Sequence, residues 1–142
     1  MPSQLQSPEV QAFATGFPVT LLHASVTLVM LILGTALYAL LTPHKEITLI
    51  REGNSAAALS LGGVMVVLAI PLAISLTAST SVIEIMIWGA ATIAVQLLVF
   101  RITDMVLKGL PERIHEGEIS AAALLVGAKL ATALILAAAV AG

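Results

Sequence analysis

The sequence predicts an all-α integral membrane protein whose four transmembrane helices form two parallel repeated helical hairpins. The first observation is composition: of 142 residues, 59% are hydrophobic and only 10% are charged, whereas a soluble domain carries about a quarter charged residues. The second is that the charges cluster in two short stretches, which separate long apolar runs. The third is an internal repeat. Together they favour a membrane protein over a soluble domain with a very apolar core.

The repeat joins the two halves of the chain. Residues 50–63 align without gaps to residues 114–127, and seven of the fourteen positions are identical. Each copy is a charged loop that follows one apolar run and opens the next. The predicted organisation is therefore a polar N-terminal tail (residues 1–16), a first helical hairpin (17–76) and a second helical hairpin (77–142).

The four predicted spans cover residues 17–41, 55–76, 82–107 and 119–141. Each is long enough to cross about 30 Å of hydrocarbon as a helix, and open strands cannot cross lipid. Pro43 ends the first span because it disfavours helix in the preceding residue. The polar tail lacks the basic start of a signal peptide, so we expect the first span to be retained.

Lysine and arginine positions predict the orientation. The loop after the first span carries Lys45 and Arg51, and the loop after the third carries Lys108 and Arg113. The N-terminal tail, the turn at residues 77–81 and the C-terminus carry none. Because basic loops stay in the cytoplasm, we expect both termini on the periplasmic side of a bacterial inner membrane. The hairpins would then be related by an axis along the membrane normal.

Four polar residues inside the spans are candidates for function: His23, Gln96, Asp104 and Lys129. Two interpretations stay open. The side chains could bond across packed helices, as polar residues in membrane proteins commonly do. Alternatively, they could line a polar track that passes an ion or a small polar solute.

Lys129 gives the sharpest expectation. It is the eleventh residue of the fourth span, close to the bilayer midplane, where an unpaired lysine is costly. On a helical wheel it lies opposite Ala123, Gly127 and Ala131. We therefore expect it to contact another protomer or a foreign helix. The alternative is a bond within the chain, to Gln96 or to a free backbone carbonyl.

Small residues predict close helix packing. Ala58 and Gly62 have small-xxx-small spacing in the second span, and Ala123, Gly127 and Ala131 extend the pattern in the fourth.

In the loops, Glu46, Arg51 and Glu52 are expected to form weak surface ion pairs, or a docking surface for a cytoplasmic partner.

A series of short motifs points to a known family. The run Thr42-Pro43-His44, then Glu46, Leu49-Ile50 and Gly53-Asn54, resembles the YjfL-like family of small bacterial inner-membrane proteins, also described as domain of unknown function three-fifty. Ile70-Pro71-Leu72, Trp88-Gly89 and residues 96–100 continue the likeness, which covers residues 20–128. The resemblance implies four helices, an inner membrane, no established activity, and gene neighbours of the envelope-stress and ATP-grasp classes. Glu118 replaces Asn54 in the second repeat, so a role of that amide is not duplicated.

No sequence feature indicates an enzyme. Nucleophile-elbow, HExxH, P-loop and dinucleotide motifs are absent from the sequence. Cysteine is absent and the three histidines lie at different depths, so we expect no metal site and no cofactor. A net charge of −2 gives no indication of a nucleic-acid partner.

Two functions remain. The first hypothesis is an oligomeric pore or transporter-like assembly in the lipid bilayer, linked to envelope homeostasis. The alternative is a non-catalytic accessory or structural subunit that packs against a larger membrane complex. In either case we expect a homo-oligomer or a subunit of a larger assembly, because four short helices form a small unit.

Overall fold

A computed structural model describes residues 7–42 and 46–142. These residues form six helices: α1 (Pro8–Leu41), α2 (Glu46–Arg51), α3 (Ser55–Ala78), α4 (Val82–Val106), α5 (Leu110–His115) and α6 (Ile119–Ala141). The described residues contain no strand. The four long helices are each long and apolar enough to span a membrane. The all-α prediction with four transmembrane helices is therefore confirmed.

The first helix begins earlier than the sequence suggested. Residues 8–16, which were predicted to belong to the polar tail, form the start of α1. Ser7 caps this helix, because its side-chain oxygen accepts a hydrogen bond from the Val10 N–H at 3.3 Å. Pro8 in the first turn needs no N–H partner, and Glu9 suits the positive end of the helix dipole. A Ser-Pro-Glu start signal thus outweighs the low hydrophobicity of this segment.

The other spans begin and end close to their predicted bounds. Asn54 and Ser81 cap α3 and α4, and each side-chain oxygen accepts a hydrogen bond from a backbone N–H three residues later. Residues 79–81 form the short turn between these helices. The short helices α2 and α5 lie at the opposite end of the bundle, here called the loop end. The end that holds residues 79–81 is called the turn end.

α3 and α6 form the centre of the bundle and run parallel to each other. Near the loop end, Ala56 and Ala57 pack against Ala121 and Ala122. Further along, a Cβ on Gly63 would lie 2.6 Å from both methyl groups of Val126. The buried positions recur every four residues along each helix, which places them on one face. They include Ala56, Ser60, Val64, Leu68 and Leu72 in α3 and Ala121, Leu125, Lys129, Ala133 and Ala137 in α6.

The predicted small-residue stripes do not make these contacts. All five residues, Ala58, Gly62, Ala123, Gly127 and Ala131, are exposed on the surface of the bundle. A Cβ added to Gly62 or Gly127 would meet nothing within 4 Å. The prediction is wrong within this chain because the packed rows are displaced around each helix, onto Ala57 and Gly63 in α3 and Ala121 and Ala122 in α6.

The two loops have matching backbones. α2 and α5 begin 64 positions apart, at Glu46 and Leu110, and α3 and α6 begin 64 positions apart, at Ser55 and Ile119. Gly53 and Gly117 have φ values of 88° and 91°, a left-handed conformation that favours glycine. Their N–H groups donate to Ile50 and Ile114 carbonyls, at 2.9 Å in both loops. Duplication of a whole hairpin stays a prediction.

Candidate functional site

Five helices bring one polar residue each to the interior near the loop end. We call these residues the polar cluster: Tyr38 (α1), Glu46 (α2), Ser60 (α3), Asp104 (α4) and Lys129 (α6). Four of them are at most 4% exposed, and the Asp104 side chain is 16% exposed. Polar and ionisable residues are rare inside transmembrane bundles and commonly mark functional sites.

Glu46 is held by two hydrogen bonds. The Tyr38 hydroxyl donates to Glu46 Oε1 at 3.1 Å, and the Ser60 hydroxyl donates to the same oxygen at 3.0 Å. Glu46 Oε2 is buried without a hydrogen-bond partner among the described residues. Burial raises the pKa of the Glu46 carboxyl, although the two hydrogen bonds and the charge of Lys129 oppose the shift. The expectation of a surface ion pair at Glu46 is therefore wrong.

Lys129 forms an ion pair within the chain. Its Nζ lies 3.1 Å from Asp104 Oδ1, and neither atom has an aligned hydrogen-bond partner in the described part of the chain. The ammonium also lies 5.2 Å from the ring centroid of Tyr38 and 5.1 Å from that of Phe100. Both distances are within the range of cation–π attraction. Two aromatic faces and one carboxylate thus replace the water that Lys129 loses.

The intermolecular contact expected for Lys129 is therefore wrong. The wheel was correct in placing Lys129 opposite Ala123, Gly127 and Ala131, but that stripe faces outward. Lys129 belongs to the row that packs on α3 and is 1% exposed. α6 starts at the loop end, and side chains on a helix tilt toward its N-terminus. The long Lys129 side chain can therefore extend toward the loop end and reach Asp104, near the end of α4.

Gln96 lies inside the bundle, away from the polar side chains of the cluster. It is fully buried, and neither atom of its amide has a hydrogen-bond partner among the described residues. One turn earlier, buried Thr92 donates to the Gly89 carbonyl at 3.0 Å. Ser75, towards the turn end, is buried, and its hydroxyl has no hydrogen-bond partner within residues 7–42 and 46–142. Buried polar side chains therefore continue from the polar cluster towards the turn end.

His23 lies apart from the polar cluster. It is half-buried in α1, about four turns before Tyr38. Its backbone carbonyl accepts a hydrogen bond from Thr27 at 2.9 Å. Of the four sequence candidates, the structure brings only Asp104 and Lys129 into contact.

The loop motif has structural roles. The Thr42 N–H and hydroxyl both donate to the Tyr38 carbonyl and close α1, at 2.9 and 2.7 Å. Asn54 caps α3 and also donates to the carbonyls of Ile114 and His115, at 3.0 and 3.1 Å. One amide therefore joins the start of α3 to the end of α5. Pro43 and His44 lie outside the described residues.

Glu118 occupies the position of Asn54 in the second loop but cannot donate the same hydrogen bonds to backbone carbonyls. A carboxylate has no N–H to donate, and Glu118 instead pairs with Arg113, with an Nη2–Oε2 distance of 2.5 Å. The two loops thus share a backbone but differ in this cross-link.

Sequence reasoning missed Glu46 and Ser60 as site residues. A signal was present for Glu46: it opens an amphipathic stretch in which Leu49 follows three residues later, on the same helical face. Leu49 is buried against α3 and α6. The Glu46 carboxylate lies on the same face of α2 and is therefore buried as well. Ser60 gave no signal beyond a hydroxyl in an apolar helix.

Comparison with known proteins places the chain in a family. The model described as Domain of Unknown Function (DUF350) matches residues 12–140. The UPF0719 inner membrane protein YjfL of Escherichia coli (strain K12) is 33% identical over 85 residues, which are 60% of this chain and 64% of that protein. Its counterpart in Escherichia coli O157:H7 gives the same values. The match thus spans less than two thirds of these relatives, and no solved structure matches. The chain is a multi-pass membrane protein that belongs to the DUF350 family.

Proposed function

We propose that the protein forms an oligomeric, transporter-like assembly that carries protons across a bacterial inner membrane. The observation that supports this most is buried Gln96, whose amide has no partner among the described residues. Burial of an amide without a hydrogen bond in an apolar environment costs about 2–7 kcal/mol of free energy. A hydrated path past Gln96 would remove that cost. No enzymatic step is part of this proposal.

The electrostatics favour protons over other cations. A metal cation that passed the polar cluster would have to compete with the Lys129 ammonium for Asp104, which already carries an ion pair. A proton can instead move along hydrogen-bonded polar groups, and Tyr38, Glu46 and Ser60 form such a chain. Buried carboxylates and lysines are typical of proton relays in membrane proteins. The link to envelope homeostasis rests on the family resemblance alone.

The site occurs once in each chain under this proposal. Glu46, Ser60 and Lys129 correspond, 64 positions along the repeat, to Leu110, Leu124 and Met65. These partners are apolar. We infer that a duplicated hairpin acquired one polar site between its two halves. We also infer that the loop end faces the cytoplasm.

Proton flux into proteoliposomes tests the proposal. Purified protein is reconstituted with an internal pH-sensitive dye, and a potassium diffusion potential drives uptake. We expect acidification with the parent, and strongly reduced uptake with Gln96→Leu and with Glu46→Gln. Glu116→Gln removes an exposed carboxyl from the loop end and serves as the matched control. Absence of flux from the folded parent protein rejects the proposal.

The accessory-subunit hypothesis is supported by a different observation. Residues 8–22 of α1 are exposed along their whole length, and the buried residues of this 34-residue helix are Gly34 and Tyr38. Such a helix is about 50 Å long and exceeds the hydrocarbon thickness. A foreign membrane protein could cover these exposed residues.

Photo-crosslinking from α1 separates the two functions. A photoreactive residue at Val19 or Leu22 is activated in native membranes. A crosslink to one foreign protein, with no proton flux from the isolated chain, favours the accessory role. A crosslink to a second copy of this chain favours the oligomer.

A further inference from the structure

A groove follows the interface of α1 and α4 on the outer side of the polar cluster. It consists of three adjoining concavities of about 280, 440 and 370 Å³. Ala94 lines both the first and the second, and Arg101 and Asp104 line both the second and the third. The concavities therefore form one series, from the bilayer interior to the loop end.

The lining changes along the series from apolar to charged. The innermost part is lined by apolar side chains such as Met30, Leu37 and Ile93. The middle part has Leu97 and Leu98 as further apolar lining. The part at the loop end is lined by Arg101, Asp104, Lys108 and Glu112 among others. An apolar chain that ends in a charged head matches this order.

The charge at the head of the groove is positive. Asp104 is neutralised by Lys129, which leaves Glu112 as the remaining carboxylate. Arg101 and Lys108 are exposed and take part in none of the ion pairs formed by the described residues. Two cations against one carboxylate at headgroup depth attract an anionic group.

We propose that this groove binds an anionic phospholipid of the leaflet at the loop end. The phosphate lies between Arg101 and Lys108, and one acyl chain follows Leu97 and Ala94 towards Met30. The groove borders the polar cluster at Tyr38 and Asp104, but the two cations that would hold the phosphate, Arg101 and Lys108, lie outside that cluster.

A helix from a second copy fits the groove less well. It would have to bring an acidic group beside an apolar row at the loop end. Within residues 7–42 and 46–142, the acidic residues in the spanning helices are Glu9, Glu84 and Asp104. The first two lie at the turn end, and Asp104 is paired with Lys129.

Lipid titration of the full chain in detergent tests the site. Native mass spectrometry measures retention of phosphatidylglycerol and of phosphatidylcholine with the same acyl chains. We expect one tightly retained phosphatidylglycerol and only weak phosphatidylcholine binding. Arg101→Gln and Lys108→Gln should each weaken phosphatidylglycerol binding about fivefold, and the double variant about 25-fold. Arg51→Gln removes an exposed loop-end cation outside the groove and should have no effect.

A blocking variant tests the acyl-chain position without changing charge. Ala94→Phe fills the junction of two concavities and should weaken phosphatidylglycerol retention. Ala91→Phe, an exposed position on α4 that lines neither concavity, is the matched control. The proposal is overturned if both lipids bind equally, if neither the charge variants nor Ala94→Phe change binding, or if Ala94→Phe dissociates a dimer without altering lipid retention.

Discussion

A lysine can remain charged inside a membrane protein only if other groups replace its hydration. Lys129 has Asp104 at 3.1 Å and two aromatic rings within about 5 Å of its ammonium. Each partner depends on the other, since removal of one leaves an uncompensated charge in a low-dielectric interior. This interdependence makes the pair testable by substitution.

We expect Lys129→Met and Asp104→Leu each to lower the free energy of unfolding by about 3–5 kcal/mol. The double variant should be less destabilised than the sum, because it leaves no unpaired charge. Denaturant titration in detergent, followed by circular dichroism, measures all four proteins. Lys108→Met, at an exposed position, controls for the loss of a cation. Additive effects in the double variant would show that the pair does not stabilise the fold.

Glu46 predicts a pH dependence of stability. Burial raises its pKa above the usual value of 4.5, and desolvation is the largest cause. An acid whose pKa is raised by folding contributes stability below its unfolded pKa, and this contribution is lost as the pH rises through the folded pKa. The free energy of unfolding should therefore fall as the pH rises above 4.5.

The Glu46→Gln variant separates this effect from other titrations. It should show a flatter profile than the parent over the same pH range, because the neutral amide cannot ionise. Thermal unfolding in detergent at several pH values measures the difference. Glu116→Gln, at an exposed position, should retain the slope of the parent. A Glu46→Gln profile as steep as the parent's would assign the slope to another group.

Individual residues were predictable from the sequence only in part. Asp104 and Lys129 are ionisable residues in apolar runs, so their importance is evident without a structure. Their pairing is not, because it depends on the depth and rotation of α4 relative to α6. Glu46 was not identified as a site residue for a further reason. Its position in a loop indicates exposure, whereas its burial depends on how α2 packs against α3.

At the scale of helices, α3 and α6 approach each other closely at Gly63. A Cβ there would lie 2.6 Å from both methyl groups of Val126, whereas a Cβ on neighbouring Gly62 would meet nothing within 4 Å. Val126 cannot move away easily, since β-branched side chains have one strongly preferred rotamer in a helix. Gly63 therefore has no room for a larger side chain, whereas the adjacent Gly62 does.

We expect Gly63→Ala to destabilise the protein by about 1–3 kcal/mol through overpacking. Gly62→Ala should be neutral or stabilise by up to about 1 kcal/mol, because alanine is the better helix former. Unfolding of the two variants in the same detergent gives the comparison. If Gly62→Ala were the more damaging change, the exposed small-residue face would be an interface between chains.

The helices themselves were more predictable than their contacts. Apolar length determines where a chain can cross the bilayer, so α4 and α6 agree with the predicted spans to within one residue. Which face of each helix packs is not fixed by small residues alone, because glycine and alanine occur on both faces of α3 and α6. The start of α1 was not predicted, because the span was placed by hydrophobicity, whereas the helix begins at the Ser7 cap.

For the whole molecule, the distribution of charge defines two ends. Arg51, Arg101, Lys108 and Arg113 lie at the loop end, and Lys129 is internal. In the described part of the chain the turn end has no basic residue and carries Glu9 and Glu84. Basic residues near an anionic cytoplasmic surface contribute about 1 kcal/mol each, and they determine which loops remain in the cytoplasm.

Site-specific labelling tests the proposed orientation of the loop end. The chain contains no cysteine, so a single introduced thiol reports its own location. We expect a membrane-impermeant maleimide to label Ala141→Cys in spheroplasts, because the end of α6 should face the periplasm. Glu116→Cys, exposed at the loop end, should be labelled only after the membrane is permeabilised. The reverse pattern would place the polar cluster and the anionic-lipid groove on the periplasmic side. Labelling of both thiols in intact spheroplasts would instead show that the protein inserts in both orientations, which the one-sided charge distribution argues against.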